Sequence, residues 1–213
     1  MLSTWDTQKG GLGNLTINQY VLEQAATARQ AVELIQGWKR GSGSNYPVAD
    51  PREAAFVETT AHATAVQWVV DSAMAHTNHY ILPGMAQYDI HTRPEDQVWS
   101  WYISTETRLT RANSLLQADL GKLDVHRMAA ISEDQDGPDS TYWIDAQAVI
   151  NDISMGSVGA GTFDSSKRRM WAQLGQPSIA PAVPFDVDRP LMPGPFNSGK
   201  QSERIYNTQQ NRR

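Results

Sequence analysis

One stretch decides the predicted fold: DPREAAFVETTAHATAVQWVVDSAMAHTNHYIL, residues 50–82. Asp50 can accept hydrogen bonds from the free amides of a first helical turn, and Pro51 sits where no donor is needed. Glu53 completes an acidic variant of the capping box. Pro83 follows the stretch directly and does not continue a helix. These signals predict one long helix.

Apolar residues on this predicted helix point in several directions. At about 100° per residue, Val57 and Trp68 share one face, while Val66 and Val70 lie nearly opposite. Small Ala and Thr residues recur along the stretch, which lets partner helices approach closely. We therefore predict a mainly α fold: a helical bundle around a long central helix, with an extended N-terminal arm and a long proline-rich C-terminal arm.

Length and composition are consistent with one domain plus extensions. A chain of 213 residues can bury a sizeable core, and the predicted parts are an N-terminal arm at 1–14, a helical domain at 15–175 and a C-terminal arm at 176–213. Charged residues make up 19%, which leaves much of the surface to uncharged polar side chains. The chain has no cysteine, which excludes disulfides, thiolate metal sites and cysteine nucleophiles within it.

Charge and hydrophobicity exclude some classes of partner. A net charge of −5 argues against a general nucleic-acid binder, and a nucleic-acid contact by the basic end of the tail has no support. No stretch approaches the apolar length of a membrane span. The first residues lack the basic start and apolar run of a secretion signal. The expected location is therefore a virion or a cytoplasmic assembly.

Further helices are expected on both sides of the central one. Capping patterns and helical spacing of apolar residues predict them at 16–37, 94–121, 122–132, 142–155 and 164–174. Residues 98–105 also alternate enough to form a strand, although a strong cap before them favours helix. For residues 142–155 a helix is the first choice and a strand the second.

The chain changes character after Gly175. Six prolines fall between positions 177 and 195, which forbids helix there. Apolar residues are interspersed among them, and a purely disordered linker rarely carries so many. Two tryptophans earlier in the chain also diverge by about 200° on a helix, so one of them needs a covering surface. The candidates for subunit contacts are Trp99, Trp101, Ile179, Val183, Phe185, Leu191, Phe196 and Tyr206.

A metal-binding enzyme built on a helical bundle is the most specific enzymatic alternative. Glu58 and His62 stand four residues apart, and His76 and His79 stand three apart, so each pair could serve one ion on a helix. On a straight helix the two pairs would be about 21 Å apart, which argues against a single site. Residues 156–161 also lack the spacing of a phosphate-binding loop. No catalytic residue, metal or cofactor is predicted.

These observations together predict a structural protein rather than an enzyme. The first hypothesis is a structural subunit of a homo-oligomeric particle, specifically a virion protein such as a coat, head-tail connector or internal virion protein. Helix packing and arm exchange would hold it together, and its partners would be copies of itself and other structural proteins of the assembly. The alternatives are a metal-binding helical-bundle enzyme using Glu58 and His62, or an adaptor that binds a partner through its proline-rich tail.

Overall fold

The structure is a computed structural model that describes residues 4–90, 99–136, 144, 147–150 and 153–188. Its α-helices are α1 (Asn14–Gln24), α2 (Ala28–Gly37), α3 (Trp99–Ala118) and α4 (Val125–Ser132), and Ala86–Tyr88 form a short 3₁₀ helix. Its strands are β1 (Ser44–Ala49), β2 (Ala54–Thr59), β3 (Thr64–Val69), β4 (Gln147–Ile150), β5 (Ile153–Gly156), β6 (Gly159–Asp164), β7 (Arg169–Leu174) and β8 (Val183–Asp186). Within these ranges no helix has the length and apolar character needed to cross a membrane.

The strands form antiparallel sheets. The first sheet has the order β1-β2-β3, the second is the hairpin β4-β5, and the third has the order β6-β7-β8. Neighbouring strands are antiparallel in all of these pairs. The fold thus combines helices with sheets, and the predicted mainly α bundle around a central helix is wrong.

The stretch at residues 50–82 forms strands and turns instead of a long helix. It contains β2 and β3, followed by residues 70–82 in neither helix nor strand. Aromatic and β-branched side chains such as Phe56, Val57 and Trp68 favour a pleated strand. Apolar residues scattered around a supposed helix are also what a strand covered on both faces produces, because its side chains alternate between two buried sides.

Asp50 caps a turn and a different helix from the one predicted. Its Oδ1 accepts hydrogen bonds from the amides of Arg52 at 2.7 Å and Glu53 at 3.0 Å, which closes the turn between β1 and β2. Its Oδ2 accepts from the amide of Ala28 at 2.8 Å, at the start of α2. These hydrogen bonds lower the pKa of Asp50, and the one from Ala28 has the largest effect. The capping chemistry was recognised correctly, but Asx turns use the same bonds as helix caps.

The main core lies between the first sheet and the two N-terminal helices. Ile17 of α1 and Ile35 of α2 are fully buried, and they share a cluster with Tyr46, Ala55 and Val57 of the sheet. Residues 16–37, predicted as one helix, are mostly helical but form two helices with a break at residues 25–27. One face of the first sheet is closed by this packing.

Two of the other predicted helices overlap helices of the structure. Residues 99–105 are helical as part of α3, and α4 lies within the predicted piece at 122–132. The predicted start of the third helix at Pro94 lies outside the described residues. After α3, Gly121 adopts a φ of +78°, which suits its predicted place as the stop.

The C-terminal third contains strands where helices or an arm were predicted. In the segment 164–174, Asp164 ends β6, residues 165–168 form a turn and residues 169–174 form β7. In the segment 142–155, residues 147–150 and 153–155 belong to β4 and β5, and strand was the second choice there. In the tail, β8 pairs with β7 and so joins a sheet. The boundaries proposed for the arms and the domain remain predictions.

Candidate functional site

The second face of the first sheet supports a buried polar site. Phe56 and Glu58 of β2 alternate with Ala55 and Val57, whose side chains lie in the core beneath the helices. His76 stacks on Phe56 with ring centroids 5.7 Å apart and planes inclined by 24°. The segment at residues 76–82 therefore lies against the face of the sheet that the helices leave open.

Glu58 is the anchor of this segment. The residue is fully buried, and its Oε1 lies 2.6 Å from Nε2 of His76. The same oxygen accepts the backbone N–H of Ile81 at 2.6 Å, and both carboxylate oxygens lie 3.2 Å from the N–H of Leu82. A carboxylate removed from water needs such donors, so its burial is compensated by three groups of one segment.

His76 is buried and has a hydrogen-bond partner at each ring nitrogen. Its side chain is 1% exposed, its Nε2 lies 2.6 Å from Oε1 of Glu58, and its Nδ1 lies 2.8 Å from the carbonyl oxygen of Thr77. A carbonyl oxygen only accepts hydrogen bonds, so Nδ1 donates to Thr77. Glu58 and His76 therefore form a buried hydrogen-bonded pair, in which loss of one partner would leave a buried polar atom of the other unsatisfied.

Asn78 presents a polar group to solvent from this anchored segment. Its backbone N–H donates to Oγ1 of Thr105 at 2.7 Å, and its Oδ1 accepts from Nη2 of Arg108 at 2.8 Å. A guanidinium can only donate, so the amide oxygen must face Arg108. The Nδ2 amide group then points away, and it has no protein partner in the part of the chain that the structure describes. Asn78 thus offers an exposed N–H donor in a fixed position.

Arg108 places a positive charge behind Asn78. Besides Asn78, its guanidinium donates to Oγ of Ser104 at 3.3 Å. Burial lowers the pKa of Arg108, although an arginine remains protonated at neutral pH. Among the described residues no carboxylate pairs with it. Arg108 therefore places a positive charge next to Asn78, which favours a negative charge on a molecule bound there.

Thr105 and His79 tie the segment to α3. Oγ1 of Thr105 lies 3.1 Å from Nδ1 of His79, and the hydroxyl of Thr77 donates to the Thr105 carbonyl at 2.9 Å. A hydroxyl beside an imidazole could suggest a nucleophile and its base. Thr105 is 1% exposed and His79 is 8% exposed, so a substrate cannot reach this hydroxyl. The pair holds the segment in place.

Tyr80 holds the C-terminal half of the segment at residues 76–82 through two hydrogen bonds. Its hydroxyl donates to the carbonyl of Thr59 at 2.8 Å, and its N–H donates to Oδ2 of Asp89 at 2.9 Å. Burial raises the pKa of Tyr80, so the phenol stays a neutral donor. Gly43 is required beside it, because a Cβ there would stand 2.2 Å from the phenol oxygen.

The structure separates the pair on which the metal alternative depended. Glu58 binds His76, whereas Nδ1 of His62 lies 2.5 Å from Oδ1 of Asp6. Four residues bring two side chains together on a helix, but here β2 ends at Thr59 and the chain turns before His62. The described residues hold no group of three or more His, Asp or Glu side chains able to bind a metal ion.

The predicted subunit-contact residues are dispersed. Val183 and Phe185 lie in β8, and Ile179, in the turn after β7, is 68% exposed. Trp99 and Trp101 lie in the first turn of α3, where only the backbone is described. Leu191, Phe196 and Tyr206 are outside the described residues. No observation tests whether these positions contact another subunit, so this remains a prediction.

Asn78 and Arg108, the two residues that the site presents, were not predicted from the sequence. A signal was present at residues 76–79, where His-Thr-Asn-His interrupts an otherwise apolar stretch. On the predicted helix these polar residues would form one solvent-exposed turn, which does not indicate a site. The contact with Arg108, thirty positions later, depends on how α3 packs and has no local pattern.

Comparison with known proteins gives a family match. A family model described as acyl-coenzyme A:6-aminopenicillanic acid acyl-transferase matches residues 2–179, which is most of the chain. No curated protein matches the chain. Because the matching family consists of acyl-transferring enzymes, the predictions of a virion structural subunit and of a protein that is not an enzyme are wrong. The predicted virion location has no support.

Proposed function

The chain belongs to the acyl-coenzyme A:6-aminopenicillanic acid acyl-transferase family, and on that premise we propose that it acts in the transfer of an acyl group from a thioester to an amine. The family match over residues 2–179 carries this proposal. In the reaction the amine nitrogen attacks the carbonyl carbon. A C–N bond forms, the C–S bond breaks, and the proton lost by the amine leaves with the thiolate as a free thiol.

The difficult step places negative charge on the acyl oxygen. Preorganised N–H donors and nearby positive charge stabilise such an oxyanion, and removing one donor typically costs about 10²–10³-fold in kcat. The site supplies both features, because the outward Nδ2 of Asn78 is a donor and Arg108 supplies the charge behind it. We assign Asn78 to binding and polarising the acyl oxygen, and Arg108 to orienting the Asn78 amide.

The attacking group comes from outside this site. The chain has no cysteine, so these 213 residues supply no thiol nucleophile. Thr105, the hydroxyl beside an imidazole, is too deeply buried to meet an acyl carbon. The described residues of the site therefore act on the electrophile, and the acceptor amine is the nucleophile in the reaction that we propose.

Release of the thiol gives a direct assay. The purified chain is incubated with acyl-coenzyme A donors of several chain lengths and with amine acceptors that include 6-aminopenicillanic acid. A colorimetric thiol reagent then reports only free coenzyme A, because the protein has no thiol of its own. Mass spectrometry identifies the amide. We expect thiol and amide in equal amounts, and no amide with any donor and acceptor would overturn the proposal.

Substitution of Asn78 tests the assigned role. We expect Asn78→Ala to lower kcat by about 10²-fold or more because the transition state loses its oxygen-binding donor. Arg108→Lys should lower kcat less, since an ammonium keeps the charge but loses the planar hydrogen-bonding geometry. Gln36→Ala, which removes an exposed amide on α2, is the matched control and should leave kcat unchanged. Wild-type kcat in Asn78→Ala would contradict the assignment.

A further inference from the structure

Glu58 holds the Asn78 segment on both sides of Asn78. The carboxylate binds His76, two residues before Asn78, and the amides of Ile81 and Leu82, three and four residues after it. One fully buried side chain thus pins both ends of a seven-residue segment without touching its exposed residue. We infer that Glu58 is a positioning residue that sets the place of the Asn78 amide; its catalytic consequence rests on the proposed function.

The support beneath Glu58 is rigid. β2 is the middle strand of its sheet, paired along its whole length with β1 and with β3. The partner of Glu58 on this support, His76, is held from two directions, by the stack on Phe56 and by the carbonyl of Thr77. The side chain of Glu58, on a strand paired on both sides, therefore fixes the position of residues 76–82, which form neither helix nor strand.

The remaining contacts of the segment do not replace this anchor. Oγ1 of Thr105 accepts a hydrogen bond from the backbone N–H of Asn78. The guanidinium of Arg108 donates a hydrogen bond to Oδ1 of the same residue. Both belong to α3, so they locate Asn78 relative to that helix. Glu58 connects Asn78 to the first sheet instead. Without Glu58 the segment would keep its contacts to α3, the stack of His76 on Phe56 and the bond from Tyr80 to Thr59. It would lose the hydrogen bonds to β2 at His76, Ile81 and Leu82, and a misplacement of about 1 Å can cost about 10²-fold in rate.

A double-mutant cycle separates positioning from general stability. Under conditions where each variant is fully folded, we expect Glu58→Gln to lower kcat by about 10-fold or more with KM nearly unchanged. In an Asn78→Ala background, Glu58→Gln should lower kcat no further, because the group that it positions is already absent. Equal losses in both backgrounds would show a merely structural role and overturn the inference. Glu33→Gln, an exposed carboxyl on α2, is the control.

A second variant covers the case in which Glu58→Gln fails to fold. Removing one partner of a buried polar pair leaves the other without its hydrogen bond, whereas replacing both partners together is better tolerated. Glu58→Gln combined with His76→Gln therefore keeps two side chains that can hydrogen-bond to each other. We expect the same loss of kcat and the same absence of a further effect with Asn78→Ala. A wild-type kcat in this variant would overturn the inference.

Nuclear magnetic resonance tests the placement without any activity. The side-chain NH₂ resonances of Asn78, identified by their loss in Asn78→Ala, report the surroundings of the amide. We expect them to move in Glu58→Gln and to stay in place in Glu33→Gln. If the chain transfers no acyl group but these resonances move, the proposed function fails and the positioning stands. Resonances that do not move in Glu58→Gln overturn the positioning itself.

Discussion

Asp6 joins the N-terminal segment to the turn between β2 and β3 through both of its carboxylate oxygens. Its Oδ2 accepts the hydroxyl of Thr60 at 2.5 Å, and its Oδ1 lies 2.5 Å from Nδ1 of His62. Burial alone would raise the pKa of Asp6, but the hydrogen bonds from Thr60 and His62 outweigh it, and the pKa is lowered. The carboxylate form therefore stabilises the folded chain.

Acid should weaken this connection. Because the pKa of Asp6 is lower in the folded chain than the usual value of about 3.9, its stabilisation is complete above that value and is lost as the pH falls through the folded pKa. Asp6→Asn should reduce the free energy of unfolding at pH 7 by about 1–3 kcal/mol. It should also flatten the decline of stability below about pH 4 relative to the wild type.

Urea denaturation between pH 3 and pH 7 measures both effects of Asp6→Asn. Glu33→Gln also removes one carboxyl group, but its side chain is exposed, so it should leave both the stability at pH 7 and the slope nearly unchanged. Parallel curves for the wild type and Asp6→Asn would contradict the assignment of the acid-sensitive connection to Asp6.

At the scale of elements, Arg40 fastens the end of α2 to the first sheet. Its guanidinium donates to the carbonyls of Ile35 at 2.7 Å and Gln36 at 3.2 Å, which belong to the last turn of α2. It also donates to the carbonyl of Thr60 at 2.9 Å, just after β2. A cation at a helix C-terminus is favourable, and burial lowers the pKa of Arg40. The side chain thus links a helix with a strand end.

Lysine should be a poor substitute at this position. An ammonium keeps the charge but offers three donors from one atom, so it cannot reach the helix end and Thr60 together. We expect Arg40→Lys to lower the free energy of unfolding by about 1–3 kcal/mol, since buried carbonyls lose their donors. Thermal and urea denaturation measure this loss. Arg52→Lys, at an exposed position, is the control, and an equal effect of both variants would contradict the role of Arg40.

At the scale of the whole molecule, one face of the third sheet is apolar and partly exposed. The strand register places side chains of the same row on the same face, and one face carries Phe163, Gly161, Met170, Ala172, Leu174, Val183 and Phe185. Phe163 is 69% exposed and Leu174 is 85% exposed. The face includes two of the predicted contact positions, Val183 and Phe185. Since it carries no charge, two copies of the chain would not repel each other there.

The exposed sheet face predicts self-association. We expect the average mass from sedimentation velocity to rise with protein concentration, and Phe163→Ser to weaken this association by about tenfold or more because an apolar ring no longer becomes buried. Thr162→Ser, a small change on the opposite face of β6, should have little effect. A wild-type chain that stays monomeric at high concentration would contradict the prediction.

Much of the local structure was determined by the sequence alone. Helical spacing predicts helix over most of α1, α2 and α3, although it joins α1 and α2 into one, and Gly121 is predicted as a stop at a position where φ is positive. The short-range chemistry of Asp50 was also recognised, although it caps a turn. These features depend on residues within about four positions of one another, so a single sequence contains the whole signal.

Only the tertiary structure decided the sheets and the site. A residue of β2 is stabilised by partners on β1 and β3, and a strand covered on both faces can be mistaken for a buried helix when its partners are unknown. Glu58 meets His76 eighteen positions later, and Asn78 meets Arg108 thirty positions later. These contacts arise from the packing of elements that are remote in sequence, and no local period or motif encodes such a distance.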